Sequence, residues 1–412
     1  MLVKAASASR AGLSRYAVRR LATVVDAPGF KISAVDRGEP VTSITVVAKA
    51  GSRFEAAPGL AHIFKNFAFK TNSNQSALKT IRMAELYGGI LSSSLSREHI
   101  SFTAEFLRGE EKHFAAVLAD SLSSTRYSRH ELEEDVLPIV ASESAEANVT
   151  PELKALDLAH TLAFRTGLGA SLYAGEHPHA SEEALREYAR SAFSKGNVAV
   201  VGQGISADSL TSIFAPHLKD VAAPTSKASV YHGGETRIAG TAGAAAPELD
   251  VLANYLSPTP SVKWSTGTGP LAANIPIGAS VEMVLYNYSD AALFGFLVQA
   301  ETAETVAAAA KAIVAGIKAI SSKAPESSDL KAAIAKSRFR AAQAVEGRTG
   351  FATVTGTQLL GGSTDLEKTL SSLAGVQAAA VTKAAATLTK AKPTYVAIGN
   401  LHKLPHADEV GL

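Results

Sequence analysis

Three polar side chains with the spacing of a metal site lie in the segment from Pro58 to Thr71, PGLAHIFKNFAFKT. On a helix, His62 and Asn66 share one face, and Lys65 projects beside them. The zinc-binding motif H-x-x-E-H has a histidine at both of these ends and a glutamate that acts on the metal-bound water. This chain reads H-I-F-K-N, so the spacing of a zinc site is present without two of its three chemical groups.

Lys65 and Asn66, which stand where the motif has glutamate and histidine, argue against a hydrolytic activity of this chain. A catalytic zinc ion needs about three protein ligands, and an asparagine amide is a weak, neutral donor. Lys65 places a cation where a general base should be, and an ammonium group repels a dication and takes no proton from water near neutral pH. A single histidine on a helix is otherwise a structural residue. We therefore expect no catalytic residue, no metal ligand, no bound cofactor and no enzymatic activity of this chain's own.

The elements around this segment are predicted from residue patterns. Two β-branched runs, FKISAVDRG from Phe30 and SITVVAKAGS from Ser43, predict two strands joined as a hairpin. After the motif, the chain predicts a helix ending at Gly88-Gly89, two further strands, and a helix over Glu110 to Ser123. A long helix is predicted from Arg129 to Phe164, because acidic residues at its start suit the helix dipole. Ser181 is a predicted N-cap for the helix that runs to Phe193.

A glycine pattern follows at the end of the first half of the chain. Gly202, Gly204 and Ala207 match G-x-G-x-x-A between a predicted strand and helix, which is the spacing of a dinucleotide-binding turn. The acidic residue expected at the end of a following strand is missing. We therefore interpret the pattern as a last strand, a tight turn and a closing helix.

Two histidine pairs have no third partner nearby. His177 and His179 flank a proline and predict a surface loop, and Pro405 interrupts the spacing of His402 and His406.

Composition bounds the class of protein. The chain has 412 residues, 46% hydrophobic and 19% charged, with a net charge of +2 and no cysteine. This length predicts two domains, and the absence of cysteine excludes disulfides and thiolate metal sites. No basic stripe interleaved with aromatic residues suggests nucleic acid as a partner. No apolar run approaches the ~20 residues that span a bilayer, so we expect any membrane association to be peripheral.

The first 22 residues have the composition of a mitochondrial transit peptide. Lys4, Arg10, Arg15, Arg19 and Arg20 precede the first acidic residue, Asp26, and serine and alanine fill the gaps. A basic tail or nucleic-acid arm is the alternative. We predict cleavage near Arg20 to Thr23.

The chain also contains an internal repeat. SFTAEFL from Ser101 matches LFGFLVQ from Leu293, pairing Phe102 with Phe294 at an offset of 192, and Gly202 pairs with Gly399 at an offset of 197. We predict a first domain over 23–222, a linker from Val221 to Ser229, and a second domain over 230–412 that also ends in a strand. The fold class is α+β, with two similar domains, each a mostly antiparallel sheet with helices on one face.

The run from Ala50, AGSRFEAAPGLAHIFKNFAFKT, resembles the pitrilysin-type family of zinc peptidases. Members follow a strand with A-G-S-R, a G-x-A-H-x-x-E-H helix and F-K-x-T, and eight or more positions agree around the three that carry chemistry. The resemblance implies two α+β domains that face each other across a cavity. It also implies a third zinc ligand on the downstream helix, which falls on Glu143, although a solvated helix glutamate is an equally good interpretation.

Among degenerate members of this family, the chain resembles most the core subunits of mitochondrial ubiquinol-cytochrome c reductase. That resemblance implies a structural subunit on the matrix side of the inner membrane, paired with core protein 1 and supporting cytochrome b, cytochrome c1 and the Rieske protein. The alternative is the substrate-binding subunit of the mitochondrial processing peptidase, which also lacks the full motif. That subunit carries a glycine-rich loop in its second half. The corresponding segment of this chain has only two glycines, Gly240 and Gly243. An active zinc peptidase is the third possibility.

Overall fold

The computed structural model of the chain describes residues 23–27, 30–214, 247–259, 267, 269–361, 366–391 and 393–412. The predicted transit peptide, the linker from Val221 to Ser229 and the loop with Gly240 and Gly243 lie outside these residues, so the domain boundaries stay predictions. We call 23–214 the first half and 247–412 the second half.

The first half is built on a six-stranded sheet with the strand order β1-β2-β6-β3-β5-β4. Only β2 and β6 run parallel, and all other neighbours are antiparallel. The strands are β1 (Thr23–Ala27), β2 (Phe30–Val35), β3 (Val41–Ala48), β4 (Ile90–Leu95), β5 (Ile100–Leu107) and β6 (Val198–Gln203).

The predicted hairpin of β2 and β3 is wrong. β6 lies between these strands, and its Val200 pairs with Ile32 on one side and with Val46 on the other. All six residues of β6 are buried, as expected for a central strand covered on both faces. The two β-branched runs form strands as predicted, but nothing in their own sequence indicates that a distant strand separates them.

Helices cover this sheet and connect its strands. They are α1 (Leu60–Asn66), α2 (Ala77–Leu86), α3 (Glu111–Ser123), α4 (Arg129–Glu131), α5 (Leu137–Val149), α6 (Pro151–Phe164), α7 (Glu182–Ala192) and α8 (Ala207–Phe214). Ser181 caps α7 as predicted, because its side chain accepts a hydrogen bond from the backbone N–H of Ala184.

The long helix predicted from Arg129 to Phe164 is not continuous. A π-helical turn, Leu132–Val136, joins α4 to α5, and the chain leaves helical geometry at Thr150 before α6 begins at Pro151. A proline disfavours helical backbone angles in the residue before it and suits the first position of a new helix. This break separates the helix that carries Glu143 from the helix that follows.

The second half contains a two-stranded antiparallel sheet, β7 (Ala279–Asn287) and β8 (Ala292–Ala300). Residues 393–400 form no strand, so the predicted closing strand near Gly399 is wrong. The helices of this half are α9 (Pro247–Leu256), α10 (Ala303–Ser322), α11 (Ser327–Ala344), α12 (Arg348–Gly361), α13 (Leu366–Ala374) and α14 (Ala378–Lys390).

The internal repeat at an offset of 192 is visible in the structure. Strand β5 begins at Ile100 and strand β8 begins at Ala292, which is 192 residues later. The helices that follow them, α3 and α10, also begin 192 residues apart. The hairpin register is also kept, since Leu95 pairs with Ile100 as Asn287 pairs with Ala292. The unit β4–β5–α3 therefore recurs as β7–β8–α10.

Buried apolar residues form one large cluster in each half. A smaller cluster joins the halves, where Phe351, Ala352 and Leu359 of α12 pack on Ala199 and Val201 of β6. The first sheet is thus covered on both faces, by its own helices and by α12, rather than on one face as predicted. The α+β class is confirmed.

Within the described residues, α10 is long and apolar enough to span a membrane by length and composition. This differs from the expectation that no apolar run approaches that length. The helix is rich in alanine, carries Lys311 and Lys318, and packs against β8 and α14 with Ala309 and Ile313 buried. Of its most apolar 18-residue stretch, 17% is buried within the described structure.

Candidate functional site

The candidate site lies where α1 crosses α5. Helix α1 begins after Gly59, whose φ of +81° is in the left-handed region that favours glycine. The carboxylate of Glu55 accepts a hydrogen bond from the backbone N–H of Ala61, which satisfies one free donor at the helix start. These features direct one face of α1 towards Glu143 on α5.

Glu143 accepts hydrogen bonds from all three residues of the degenerate motif. His62 Nε2 lies 2.6 Å from Glu143 Oε2, and Asn66 Nδ2 lies 3.0 Å from the same oxygen. Lys65 Nζ lies 2.9 Å from both carboxylate oxygens. The structure therefore brings together every residue that the spacing and the family resemblance had singled out.

The tautomer of His62 follows from its partners. The backbone N–H of Ala174 can only donate, and it lies 3.2 Å from His62 Nδ1. Nδ1 is therefore unprotonated, and the proton of the neutral ring is on Nε2, where it is donated to Glu143. The side chain is 3% exposed, and burial lowers the pKa of His62, although the bond to Glu143 acts in the opposite direction. His62 thus presents an N–H rather than a lone pair to the site.

Glu143 is ionised in this arrangement. Partial burial would raise the pKa of its carboxyl group, but the hydrogen bonds from Lys65, Asn66 and His62 together outweigh burial and lower that pKa. The carboxylate and the ammonium form an ion pair supported by two neutral donors.

These residues do not fit a zinc ion. Only His62 and Glu143 belong to the usual ligand types, and a catalytic site needs about three. The lone pair of His62 faces Ala174, and Lys65 already neutralises the carboxylate. Within the described residues, no group of three or more histidine, cysteine, aspartate or glutamate side chains could hold a metal.

Sequence comparisons identify the proteins to which this chain is similar. A sequence model of the family described as Insulinase (Peptidase family M16) matches residues 31–176, which include both α1 and α5. A protein named cytochrome b-c1 complex subunit 2, mitochondrial, from Cryptococcus neoformans var. grubii is 41% identical over 96% of this chain and 96% of its own length. A protein of the same name from Yarrowia lipolytica is 33% identical over 97% of this chain and 99% of its own length. The protein of that name from Homo sapiens is 26% identical over 93% of this chain and 90% of its own length.

This chain belongs to the family of cytochrome b-c1 complex subunit 2. The similarity to that family extends over nearly the whole chain, whereas the match to the M16 peptidases covers the part that holds the candidate site. A peptidase-like fold is therefore present in a member of the subunit 2 family.

The other predicted positions lie apart from this site. His177, His179, His402 and His406 are exposed, and they join no metal-binding group among the residues described. Gly202 pairs with Ile44 inside the sheet, and a side chain there would overlap Ile205 and Leu210. Gly204 has a φ of +73° beside the carbonyl of Val41. Packing and turn geometry thus account for these glycines, as the interpretation of a strand, a tight turn and a helix predicts.

Sequence reasoning missed two buried acidic groups. Glu55 is largely buried at the start of α1, and burial raises its pKa to about 7 although the backbone N–H groups around Ala61 lower it. Glu98 forms an ion pair with Arg53 and contacts the second half of the chain. Arg53 belongs to the A-G-S-R run that supports the family resemblance, but nothing in the sequence identified its partners.

Proposed function

We propose that this chain is a non-catalytic structural subunit of the mitochondrial cytochrome b-c1 complex, ubiquinol-cytochrome c reductase. The observation that carries the proposal is the contact of His62, Lys65 and Asn66 with one carboxylate, Glu143. In this chain the polar groups at the positions of the zinc-binding motif form hydrogen bonds between helices α1 and α5 rather than a set of metal ligands. Similarity over nearly the full length to proteins named subunit 2 of that complex supports the same proposal.

The finer proposal concerns location and partners. The chain acts on the matrix side of the inner membrane as a peripheral subunit beside core protein 1, and it supports cytochrome b, cytochrome c1 and the Rieske protein. Its contribution is a rigid surface, because no group of three or more histidine, cysteine, aspartate or glutamate side chains among the described residues could hold a metal. Supporting observations are the arginine-rich N-terminal sequence and the M16-type fold.

Purification from mitochondria in a mild detergent tests this function. We expect the chain to co-migrate with a complex that shows the spectra of b-type and c-type haem. We also expect N-terminal sequencing to show that the mature chain begins after the transit peptide. Migration as a soluble pair that cleaves presequences would instead support the processing-peptidase alternative. An intact Met1 on the mitochondrial protein would contradict the predicted cleavage.

Metal analysis of the same material tests the loss of catalysis. We expect zinc at well below one ion per chain, and no change in zinc content when His62 is replaced by alanine. Stoichiometric zinc that disappears in the His62→Ala variant would refute the non-catalytic assignment.

A further inference from the structure

The two copies of the repeated hairpin contact each other through their turns. The first turn, Ser96–His99, connects β4 to β5, and the second, Tyr288–Ala291, connects β7 to β8. At the repeat offset of 192, Arg97 corresponds to Ser289 and Glu98 corresponds to Asp290. The contact between the halves therefore joins equivalent positions of a duplicated unit, as in the interface of a twofold-symmetric dimer.

Four side chains make this contact, and we call them the Arg53 cluster: Arg53, Glu98, Ser289 and Asp290. Glu98 accepts hydrogen bonds from the backbone N–H of Ser289 at 3.0 Å and from its hydroxyl at 2.5 Å. The guanidinium of Arg53 donates to Glu98 at 2.6 Å and to the two oxygens of Asp290 at 2.9 and 2.7 Å. The side chains of Arg53 and Glu98 are 5% and 7% exposed.

One cation thus serves two equivalent carboxylates, one from each half. In a symmetric interface a second arginine would occupy the position related to Arg53. At the offset of 192 that position is residue 245, which is an alanine. Loss of Arg53 would remove the cation from between Glu98 and Asp290, and Glu98, whose side chain is 7% exposed, would lose this ion pair.

The second turn is also held by neighbouring residues of the first half. The hydroxyl of Tyr288 donates to Nε2 of His160 at 2.7 Å, because Nδ1 of that ring already donates to the carbonyl of Leu156. Tyr288 further packs against an apolar group that includes Phe164, Leu168 and Leu293. The turn therefore contacts a site with both polar and apolar complementarity.

We propose that the Arg53 cluster holds the two halves of this chain in one fixed orientation. Domains within a chain move relative to each other by default unless their interface is large and apolar. Here α12 packs on β2, β3 and β6 with an apolar cluster between them, and the Arg53 cluster adds a charged, directional contact at a separate place. Arg53 is the positioning residue because its guanidinium pairs with one carboxylate on each turn, Glu98 on the first and Asp290 on the second.

The absence of native cysteines allows a direct test. Spin labels at Lys112→Cys on α3 and Lys311→Cys on α10, both exposed, report the distance between halves in the full chain by pulsed electron resonance. We expect one narrow distance distribution for the parent chain. In Arg53→Met and in Asp290→Asn we expect a broader distribution or a second distance.

A control variant and the Asp290→Asn variant together make the result decisive. Arg108→Met, which removes a surface ion pair with Asp36 within the first half, is the matched control and should keep the narrow distribution. Asp290→Asn keeps the Arg53–Glu98 pair, so it decides the question if Arg53→Met does not fold. An unchanged narrow distribution in folded Asp290→Asn and Arg53→Met protein would overturn the proposal, as would an equal broadening in Arg108→Met.

Discussion

Lys65 Nζ lies 2.9 Å from both carboxylate oxygens of Glu143, in the space between the two helices where a peptidase of this fold would hold its metal. The ammonium therefore supplies a positive charge to a carboxylate that would otherwise face a neutral imidazole and an amide. This ion pair adds a polar contact between α1 and α5 to the apolar core cluster that both helices share.

Lys65→Met should weaken the contact of α1 with α5. Glu143 is 36% exposed, so solvent screens the pair, and we expect a loss of only about 1 kcal/mol in the free energy of unfolding. Urea unfolding at pH 7 measures it. Lys70→Met, which removes the more exposed pair with Asp135, is the control and should cost less. Equal losses in the two variants would contradict a special role for Lys65.

The double substitution Lys65→Glu with Asn66→His should create a zinc site. It restores H-x-x-E-H on α1, and Glu143 already lies within hydrogen-bond distance of both terminal positions of that motif. We expect about one zinc ion per chain after dialysis, and a rise in Tm when zinc is added. The same double variant in a His62→Ala background is the control and should bind far less. Zinc content no higher than in the parent chain would show that the scaffold no longer holds the required geometry.

Acid should destabilise the contact at His160. Burial, aided by the charge of Arg97, lowers the pKa of His160 to about 4, whereas the unfolded value is about 6.5. The unfolded chain therefore binds more protons between these values, so this group's stabilising contribution falls as the pH drops from about 6.5 to about 4. Over this pH window, the free energy of unfolding should fall by up to about 3 kcal/mol more in the parent chain than in the His160→Asn variant. Parallel pH dependences would refute the prediction.

Glu55 should have the opposite pH dependence. Burial raises the pKa of its carboxyl group to about 7, so the folded state retains a proton that the unfolded state releases, and stability falls as the pH rises from about 4.5 to about 7. Glu55→Gln keeps an oxygen that can accept from Ala61. We expect this variant to exceed the parent chain by on the order of 2 kcal/mol at pH 8 and to match it near pH 4. A variant less stable than the parent at pH 8 would show that the charged form is required.

Gly59→Ala should be more harmful than Gly38→Ala. Both glycines have positive φ, +81° and +76°, so both substitutions strain the backbone. Only at Gly59 would the added Cβ overlap a neighbour, Ala174, whose N–H binds His62. We expect an extra loss of about 1–3 kcal/mol at Gly59, measured by thermal unfolding. Similar Tm values for the two variants would mean that the loop at Ala174 yields without cost.

Much of the candidate site was predictable because its determinants are local. The four-residue spacing of His62 and Asn66 fixes their common face on one helix turn, and the family resemblance supplied Glu143 on a second helix. What the sequence could not show was the direction of the hydrogen bonds. The unprotonated Nδ1 of His62 depends on Ala174 in a loop that is remote in sequence.

The fold was less predictable where pairing is non-local. The strands near Phe30 and Val41 were recognisable, but their separation by β6 depends on residues from Val198 onwards. The break of the long helix has a local signal in Pro151, because a proline disfavours helical backbone angles in the residue before it. The sequence around Arg53 does not indicate its ion-pair partner Asp290, because that residue lies in the other half of the chain.

The position of β6 has a consequence for how the protein is made. The strand enters the middle of the first sheet although it is the last of that sheet to be synthesised, and both β2 and β3 bond to it. Until Gln203 has emerged from the ribosome or from an import channel, both of those neighbours present unsatisfied backbone donors and acceptors. Assembly of this sheet is therefore expected to begin late, and a nascent fragment that stops before Asn197 should depend on chaperones to avoid aggregation.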